Sequence, residues 1–407
     1  MNRVVITGIG AVTPLGNSFS DSWAGLIAGR SGISTLPEHL SCGGITLAGQ
    51  LMGFDAGQFL SIREQNRLDP FVHYAVAAAA MALDDAASTK PEGFASIIGT
   101  SRAGISMINA AAASLYSRKD NRRKVSAYLM PTTTASMAAS YISQKFGLRG
   151  HTLGISNACT SGANAIGEAF RLIKHGYAEG ALAGGAEAPL CKLSIEGYSA
   201  SGALSKTLSQ AAASRPFCVG RDGFVLAEGA CVVVMEECSS ALKRGARIYA
   251  EVLGYGNTSD GMDMVRPDST MQAAAIVNAL TEAALSPEDV TFISAHATST
   301  ALGDAVESEA IHKAFKGNVM RLPVTANKSM TGHMLSASAA FETAAAAMSI
   351  YTGLIPPTIN IQAIDPACSL NVITKELKID SIRSGITNSF GFGGVNASVV
   401  LGGQGAD

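Results

Sequence analysis

Short β-branched and apolar runs alternate along this chain with longer Ala-rich stretches, and the whole alternation occurs twice. The first pass predicts strands at 4–10 (VVITGIG), 94–100 (FASIIGT), 151–156 (HTLGIS), 180–187 (GALAGGAE) and 230–237 (ACVVVMEE). The second predicts strands at 248–256 (IYAEVLGYG), 290–298 (VTFISAHAT), 323–327 (PVTAN), 383–391 (RSGITNSFG) and 397–402 (ASVVLG). Helices fit between them at 69–87, 160–175, 270–285, 303–315 and 333–352. Strands alternating with helices argue for an α/β protein with buried sheets. Helices that stay apolar over long stretches suit layers covered on both sides. The restart near residue 245 divides the chain into two halves, 1–245 and 246–407, and the Gly and Ser clusters mark turns rather than linkers.

Composition narrows this picture. A 407-residue chain with 47% hydrophobic and 15% charged residues must bury much of its length. A net charge of −2 argues against general nucleic-acid binding. No uncharged apolar tract is long enough to span a bilayer, which takes about 18 residues. The opening MNRVVITGIG reads as the start of a strand and lacks a signal peptide's cleavage pattern, so a cytoplasmic protein is expected. The seven cysteines are scattered without a CxxC, as expected of reduced thiols. No Cys/His cluster has ligand spacing, so neither a metal nor another cofactor is expected.

One cysteine stands apart. In SNACTSGANAIGEAFRLIKHG (156–176), Cys159 falls where a strand gives way to a helix. There the helix dipole and free N–H groups favour a thiolate and can hold a developing oxyanion. Gly162 and the neighbouring alanines let other backbone approach closely. The remaining cysteines read as buried small hydrophobes. A nucleophilic cysteine needs a partner for its proton. Two of the seven histidines lie at strand ends beside Gly/Ser/Thr loops, His296 in SAHATSTALGD and His333 in NKSMTGHMLSASAAFE. With Cys159 they make a Cys-His-His set; the other five histidines read as structural. Lys328 and Glu342 flank His333 and form either a supporting ion pair or an ordinary surface pair of little worth. In NSFGFGGVNAS (388–398) the glycines imply a tight loop with inward N–H groups. No Walker lysine follows, so a phosphate cradle does not fit. The Phe392 N–H suits a second oxyanion donor. Phe390 and Phe392 either close a hydrophobic mouth or pack as core.

Taken in order, RVVITGIGAVTPLGN, the Cys159 segment, AASRPF, RDGFVLAEGA, KSMTGH and NSFGFGGVN closely resemble the β-ketoacyl-acyl-carrier-protein synthases, the condensing enzymes of fatty-acid and type II polyketide synthesis. The resemblance covers nearly the whole chain. It implies a thiolase-like fold, two similar halves in five αβαβα layers, and a homodimer or a dimer with a related subunit. It implies decarboxylative condensation of an acyl thioester with malonyl groups carried on the phosphopantetheine of an acyl carrier protein. By the same resemblance Cys159 is the acyl acceptor, and His296 and His333 act on the malonyl thioester. Lys328 organises His333, with Glu342 as its acidic neighbour. Thr298 and Thr300 contact pantetheine, Phe392 gates and helps hold the oxyanion, and Phe224 lines the pocket.

The sequence departs from that pattern in places. Ala297 replaces the usual glycine after the first histidine, and the stretch after the second reads SASAA (336–340) without its glycines. Arg102 in GTSRAGIS stands where relatives line the acyl pocket with glycine and isoleucine, which points to a specialised pathway. Arg102 is expected to pair and cap the tunnel, to meet a polar or conjugated chain, or to point outward. Arg63, Arg67 and Lys206 are candidates for meeting an acidic carrier. Two rival readings share the fold. A chain-length factor, which only shapes a pocket, typically lacks the nucleophile. A degradative thiolase needs a second cysteine near the C-terminus, and NSFGFGGVN has none.

Overall fold

The computed structural model describes residues 1–87, 91–116 and 125–403. Its main sheet contains ten strands: β1 Val4–Val12, β2 Ala95–Gly99, β3 Thr152–Ile155, β4 Gly180–Glu187, β5 Gly229–Glu237, β6 Ala250–Ser259, β7 Phe292–Ser294, β8 Val324–Thr325, β9 Ser384–Gly391 and β10 Val395–Gly402. Across the sheet they run β8-β7-β9-β10-β6-β1-β5-β4-β2-β3. The order on one side of the β6–β1 seam thus repeats on the other. Strand direction repeats too: β1–β5 and β5–β4 are antiparallel, β4–β2 and β2–β3 parallel. Likewise β6–β10 and β10–β9 are antiparallel, β9–β7 and β7–β8 parallel. Within the sheet, among the described residues, only a short antiparallel pairing, from Val4 opposite Val252 to Ile6 opposite Ala250, joins the two sides.

The helices that matter to the site are α1 Pro70–Asp85, α2 Ile105–Tyr116, α3 Ser161–Lys174, α4 Lys192–Ala200, α5 Ser269–Glu282, α6 Ala301–Phe315 and α7 Ser336–Thr352. Helix α1 covers β1, β5 and β4 from outside; α5 covers β6 and β10, with α6 beside it. Helices α3 and α7 pack on each other and touch strands from both sides of the seam. The result is five layers, helix–sheet–helix–sheet–helix. A helix between two sheets has almost no solvent face, so α7 (SASAAFETAAAAMSIYT) is built of small and apolar residues and buried until its last turns. Contact between the middle helices is tight: a Cβ on Gly162 would lie 2.2 Å from the Ser336 carbonyl oxygen. Outside the middle layer, α1 starts where sequence rules place it, with Pro70 in its first turn and the Asp69 side chain accepting the Phe71 N–H.

Bounds shift by a few residues at several predicted elements, and two of the shifts lie beside the site. The strand expected over 290–298 stops at Ser294, because the His296 and Ala297 N–H groups turn to the Glu307 carboxylate. Ala297 (φ 22°) and Ser299 (φ 72°) then leave strand geometry altogether. The helix expected from 333 begins only at Ser336, because Leu335 sits at φ 50°, ψ −121°. Helices α2 and α4 lie outside the predicted set. Among the described residues, no helix is long and apolar enough to cross a membrane.

Candidate active site

The internal repeat brings the chemistry together. Cys159 lies in the connection from β3 to α3, and His333 in the corresponding connection from β8 to α7. The first turns of α3 and α7 meet at the Gly162–Ser336 contact, so these two connections face each other. His333 Nε2 is 3.1 Å from Cys159 Sγ. Cys159 itself sits in a single 3-10 turn, Ala158–Thr160, that leads into α3. Ala158 makes the sharp entry at φ 48°, a left-handed conformation costly for a residue with a Cβ. The expectation of a ready thiolate is corrected here. Burial pushes the Cys159 thiol up to about 12, despite the lowering influence of Lys328, Arg102 and the Phe392 N–H bond. Desolvation of the charged form outweighs these neighbours, which favours a neutral Cys159 thiol at rest.

His333 is not at a strand end as the sequence suggested; a one-turn helix, Lys328–Thr331, separates it from β8. His296 does follow β7 closely. The two rings stand nearly perpendicular, 5.4 Å between centroids. Burial, reinforced by the charge of Lys328, holds both imidazoles well below the ordinary histidine range, so both are neutral. The Ser338 hydroxyl accepts the Met334 N–H at 2.8 Å, which leaves its own proton for His333 Nδ1 at 3.4 Å. That arrangement favours the Nε2–H tautomer and aims a donor at the sulfur's surroundings. His296 Nδ1 has no hydrogen-bond partner among the described residues.

Lys328 Nζ lies 2.6 and 2.8 Å from the two Glu342 carboxylate oxygens. Their side chains are 1% and 2% exposed, so the surface-pair alternative is wrong. Burial pushes Glu342 up to about 7 against the pull of Lys328. Sequence reasoning missed two further carboxylates, both buried on α6. Glu307 accepts the backbone N–H groups of His296 and Ala297 at 2.8 and 2.6 Å. Asp304 accepts those of Ser299 and Phe217 and pairs with Arg221. Together they fix the contorted backbone after β7. The signal was present: two acids three residues apart share one helix face.

Aromatic rings wall the site. Phe390 lies 6.0 Å from the His296 ring and Phe224 5.2 Å from the His333 ring, both edge-on. Thr298 and Thr300 are half-buried, with their hydroxyls 3.1 Å apart. Phe392 is half-buried, and its backbone N–H reaches the Cys159 sulfur. Arg102 is exposed, and its Nε donates to the Tyr198 hydroxyl at 3.2 Å. It points outward, the third of the expected outcomes, and its partner is a tyrosine hydroxyl rather than a carboxylate or a backbone carbonyl.

The geometry agrees with what the chain is similar to. The Beta-ketoacyl synthase N-terminal domain profile matches residues 1–241, and the C-terminal domain profile matches 249–362. The chain is 38% identical over 407 residues to the 3-oxoacyl-[acyl-carrier-protein] synthase 2 of Synechocystis sp., covering 98% of this chain and 97% of that protein. A solved type II polyketide ketosynthase, in complex with its acyl-carrier protein and bound to the hexaketide, superposes with a TM-score of 0.91 at 32% identity over 99% of both chains. The ishigamide ketosynthase/chain length factor superposes at 0.90, also at 32% identity over 99% of both. With matched profiles over both parts of the chain and Cys159 meeting two histidines between them, the chain belongs to the beta-ketoacyl synthase family.

Proposed function

We propose that this protein joins an acyl group to a malonyl-derived two-carbon unit by decarboxylative Claisen condensation, giving a 3-oxoacyl-carrier protein. The observation that carries this is the 3.1 Å approach of His333 Nε2 to Cys159 Sγ, with neutral His296 beside it. In the first step Cys159 attacks the acyl-carrier thioester. The sulfur loses its proton, the C–S bond to the carrier breaks, and the freed carrier thiol takes a proton up. In the second, malonyl-carrier loses CO₂, and the electron pair stays on the remaining thioester as an enolate. Neutral imidazole N–H groups from His296 and His333 hold the enolate oxygen. The enolate carbon then attacks the acyl-Cys159 carbonyl. Backbone N–H groups of Cys159 and Phe392 hold the oxyanion until it collapses and expels the Cys159 thiolate.

In this reading Thr298 and Thr300 receive the phosphopantetheine arm, and Phe390 and Phe392 close over it. Phe224 lines the acyl pocket and Arg102, tied to Tyr198, stands at its solvent-facing end, which favours a specialised fatty-acid or type II polyketide pathway. The carrier protein docks on basic residues; Arg63 and Lys206 are exposed, while Arg67 lies 4.5 Å from the Tyr128 ring centroid. We assign the halves to 1–245 and 246–407, and the site of action to the cytoplasm. A dimer with an identical or related subunit is supported by β3, which ends the sheet with Leu153 43% exposed. A pocket-shaping subunit without catalysis is disfavoured, because nothing but chemistry requires a cysteine, two neutral imidazoles and a buried ion pair together. The test incubates the protein with acyl-carrier, maps the adduct by peptide mass spectrometry, and measures CO₂ released from malonyl-carrier. Acylation confined to Cys159 together with CO₂ release supports condensation. Acylation elsewhere, or an unmodified Cys159, overturns it.

A further inference from the structure

Cys159 is surrounded unevenly. His333 and the Phe392 N–H give it polar neighbours on the part of the site that decarboxylation requires. Its other surroundings are an apolar cluster that includes Ile195, Leu204, Phe224 and Leu335, with Tyr198 at the half-buried margin. An acyl chain on the sulfur is left those apolar neighbours. That cluster ends in a charge. The Tyr198 ring meets Phe224 edge-on at 5.5 Å, and the Arg102 guanidinium lies 5.7 Å from the Tyr198 ring centroid while its Nε binds the hydroxyl. The charge is near enough to help pull the Cys159 thiol down.

Arg102 is not a loose surface arginine. The backbone N–H and hydroxyl of Ser101, the preceding residue, both donate to Glu187 Oε1, which also accepts the Ser336 hydroxyl at 2.7 Å. Glu187 is fully buried at the end of β4, so the turn carrying Arg102 is fastened to the sheet and to the first turn of α7. Tyr198 belongs to α4, which also supplies Ile195. A guanidinium has five N–H donors. Among the described residues only Nε has a hydrogen-bond partner, the Tyr198 hydroxyl. A saturated chain laid against those donors would strip water from a permanent charge and return nothing. An oxygen on the chain would accept them.

We infer that Arg102 and Tyr198 terminate the acyl site and select acyl groups bearing a ketone or hydroxyl oxygen on the chain over saturated chains of equal length. The inference rests on the condensation reading, and the experiment separates the two. Acylation of Cys159 is followed by intact-protein mass spectrometry in single-turnover mixtures. The donors are hexanoyl, hexa-2,4-dienoyl and oxohexanoyl carriers with the ketone at carbon 3 or 5. The variants are Arg102→Ile, Arg102→Gln and Tyr198→Phe, and CO₂ release from malonyl-carrier is measured in the same samples. Wild type is expected to take at least one oxohexanoyl group about tenfold faster than hexanoyl, the effect of a hydrogen bond to a charged group. Arg102→Ile should bring that ratio close to one, and Arg102→Gln should keep part of it. Equal wild-type rates, a preference that survives Arg102→Ile, or a dienoyl group favoured above both would overturn the selection while leaving condensation intact. If no donor acylates wild-type Cys159, the condensation reading falls and this inference with it.

Discussion

The two halves have the same strand order and the same strand directions, yet their equivalent connections do different work. After β3 the chain delivers Cys159; after β8 it delivers His333. After β2 it places Ser101 and Arg102; after β7 it places His296. Between β4 and β5 it makes a long excursion that contributes Tyr198 and Phe224. Between β9 and β10 it makes only a tight turn, Phe392–Gly394, with Gly393 and Gly394 at φ 85° and 70°. A duplicated scaffold has thus been divided. The first half holds Cys159 and most of the apolar cluster around it, and the second holds the two buried imidazoles, the buried ion pair and the tight loop. The scaffold fixes where connections meet, and in the proposed condensation the side chains placed there decide which half-reaction each side serves.

The sharpest way to break this division is to disable one half and ask whether the other still works. Cys159→Ala should lower condensation on the order of 10⁴-fold or more, the scale of losing a nucleophile. CO₂ release from malonyl-carrier should persist, since the histidines remain. Loss of both activities together would show that the halves act as one unit. Glu342→Gln should be the most damaging change to the structure beneath the second half. It leaves Lys328 buried without its acidic partner, and breaking a buried pair costs about 3–5 kcal/mol. Urea unfolding should register it; a loss under about 1 kcal/mol would mean that water reaches the pair. The reciprocal of the cysteine variant is His296→Ala or His333→Ala. Each should slow CO₂ release about 10²-fold, the worth of one oxyanion-type donor, while some Cys159 acylation survives. An unchanged CO₂ rate in either variant would remove that histidine from the second half's chemistry.

The smallest effect concerns pH. A histidine titrating at 6.5 becomes about three-quarters protonated between pH 7.5 and 6.0. Burial and Lys328 depress both imidazoles well below that range. Their neutral form therefore persists above their folded pKa values and is lost only at much lower pH. CO₂ release by the acyl-enzyme should change less than about twofold across this interval. A fall of about fourfold would show an ordinary histidine pKa, and hence a wetter second half.

Much of this was legible in the sequence, for a physical reason. Strands buried on both faces and helices packed between sheets must be apolar throughout, so the runs at 180–187 and 230–237 and the alanines of α7 disclosed their elements locally. The strand at 180–187 matches β4 residue for residue. Cys159, His296 and His333 stood out because a polar residue at the boundary of such a run interrupts a strong pattern. Legibility failed where long-range partners override local preference. Residues 295–298 look like more strand, but the Glu307 carboxylate captures the N–H groups of His296 and Ala297. Leu335 looks helical, but it sits at positive φ just before the close approach of α7 to α3.

By itself, then, the sequence determined the alternation of strands and helices, its repetition, and the residue types available for chemistry, because periodicity and composition act over a few neighbours. Only the tertiary structure decided that Lys328 and Glu342 form a buried pair and that the Cys159 thiol is neutral at rest. It also decided that Arg102 faces solvent while tied to Tyr198, and that Glu187, Asp304 and Glu307 brace the site. Burial and charge proximity are properties of three-dimensional neighbours, 14 residues apart for Lys328 and Glu342 and 174 apart for Cys159 and His333. Desolvation, which governs every one of those protonation states, has no local sequence signature.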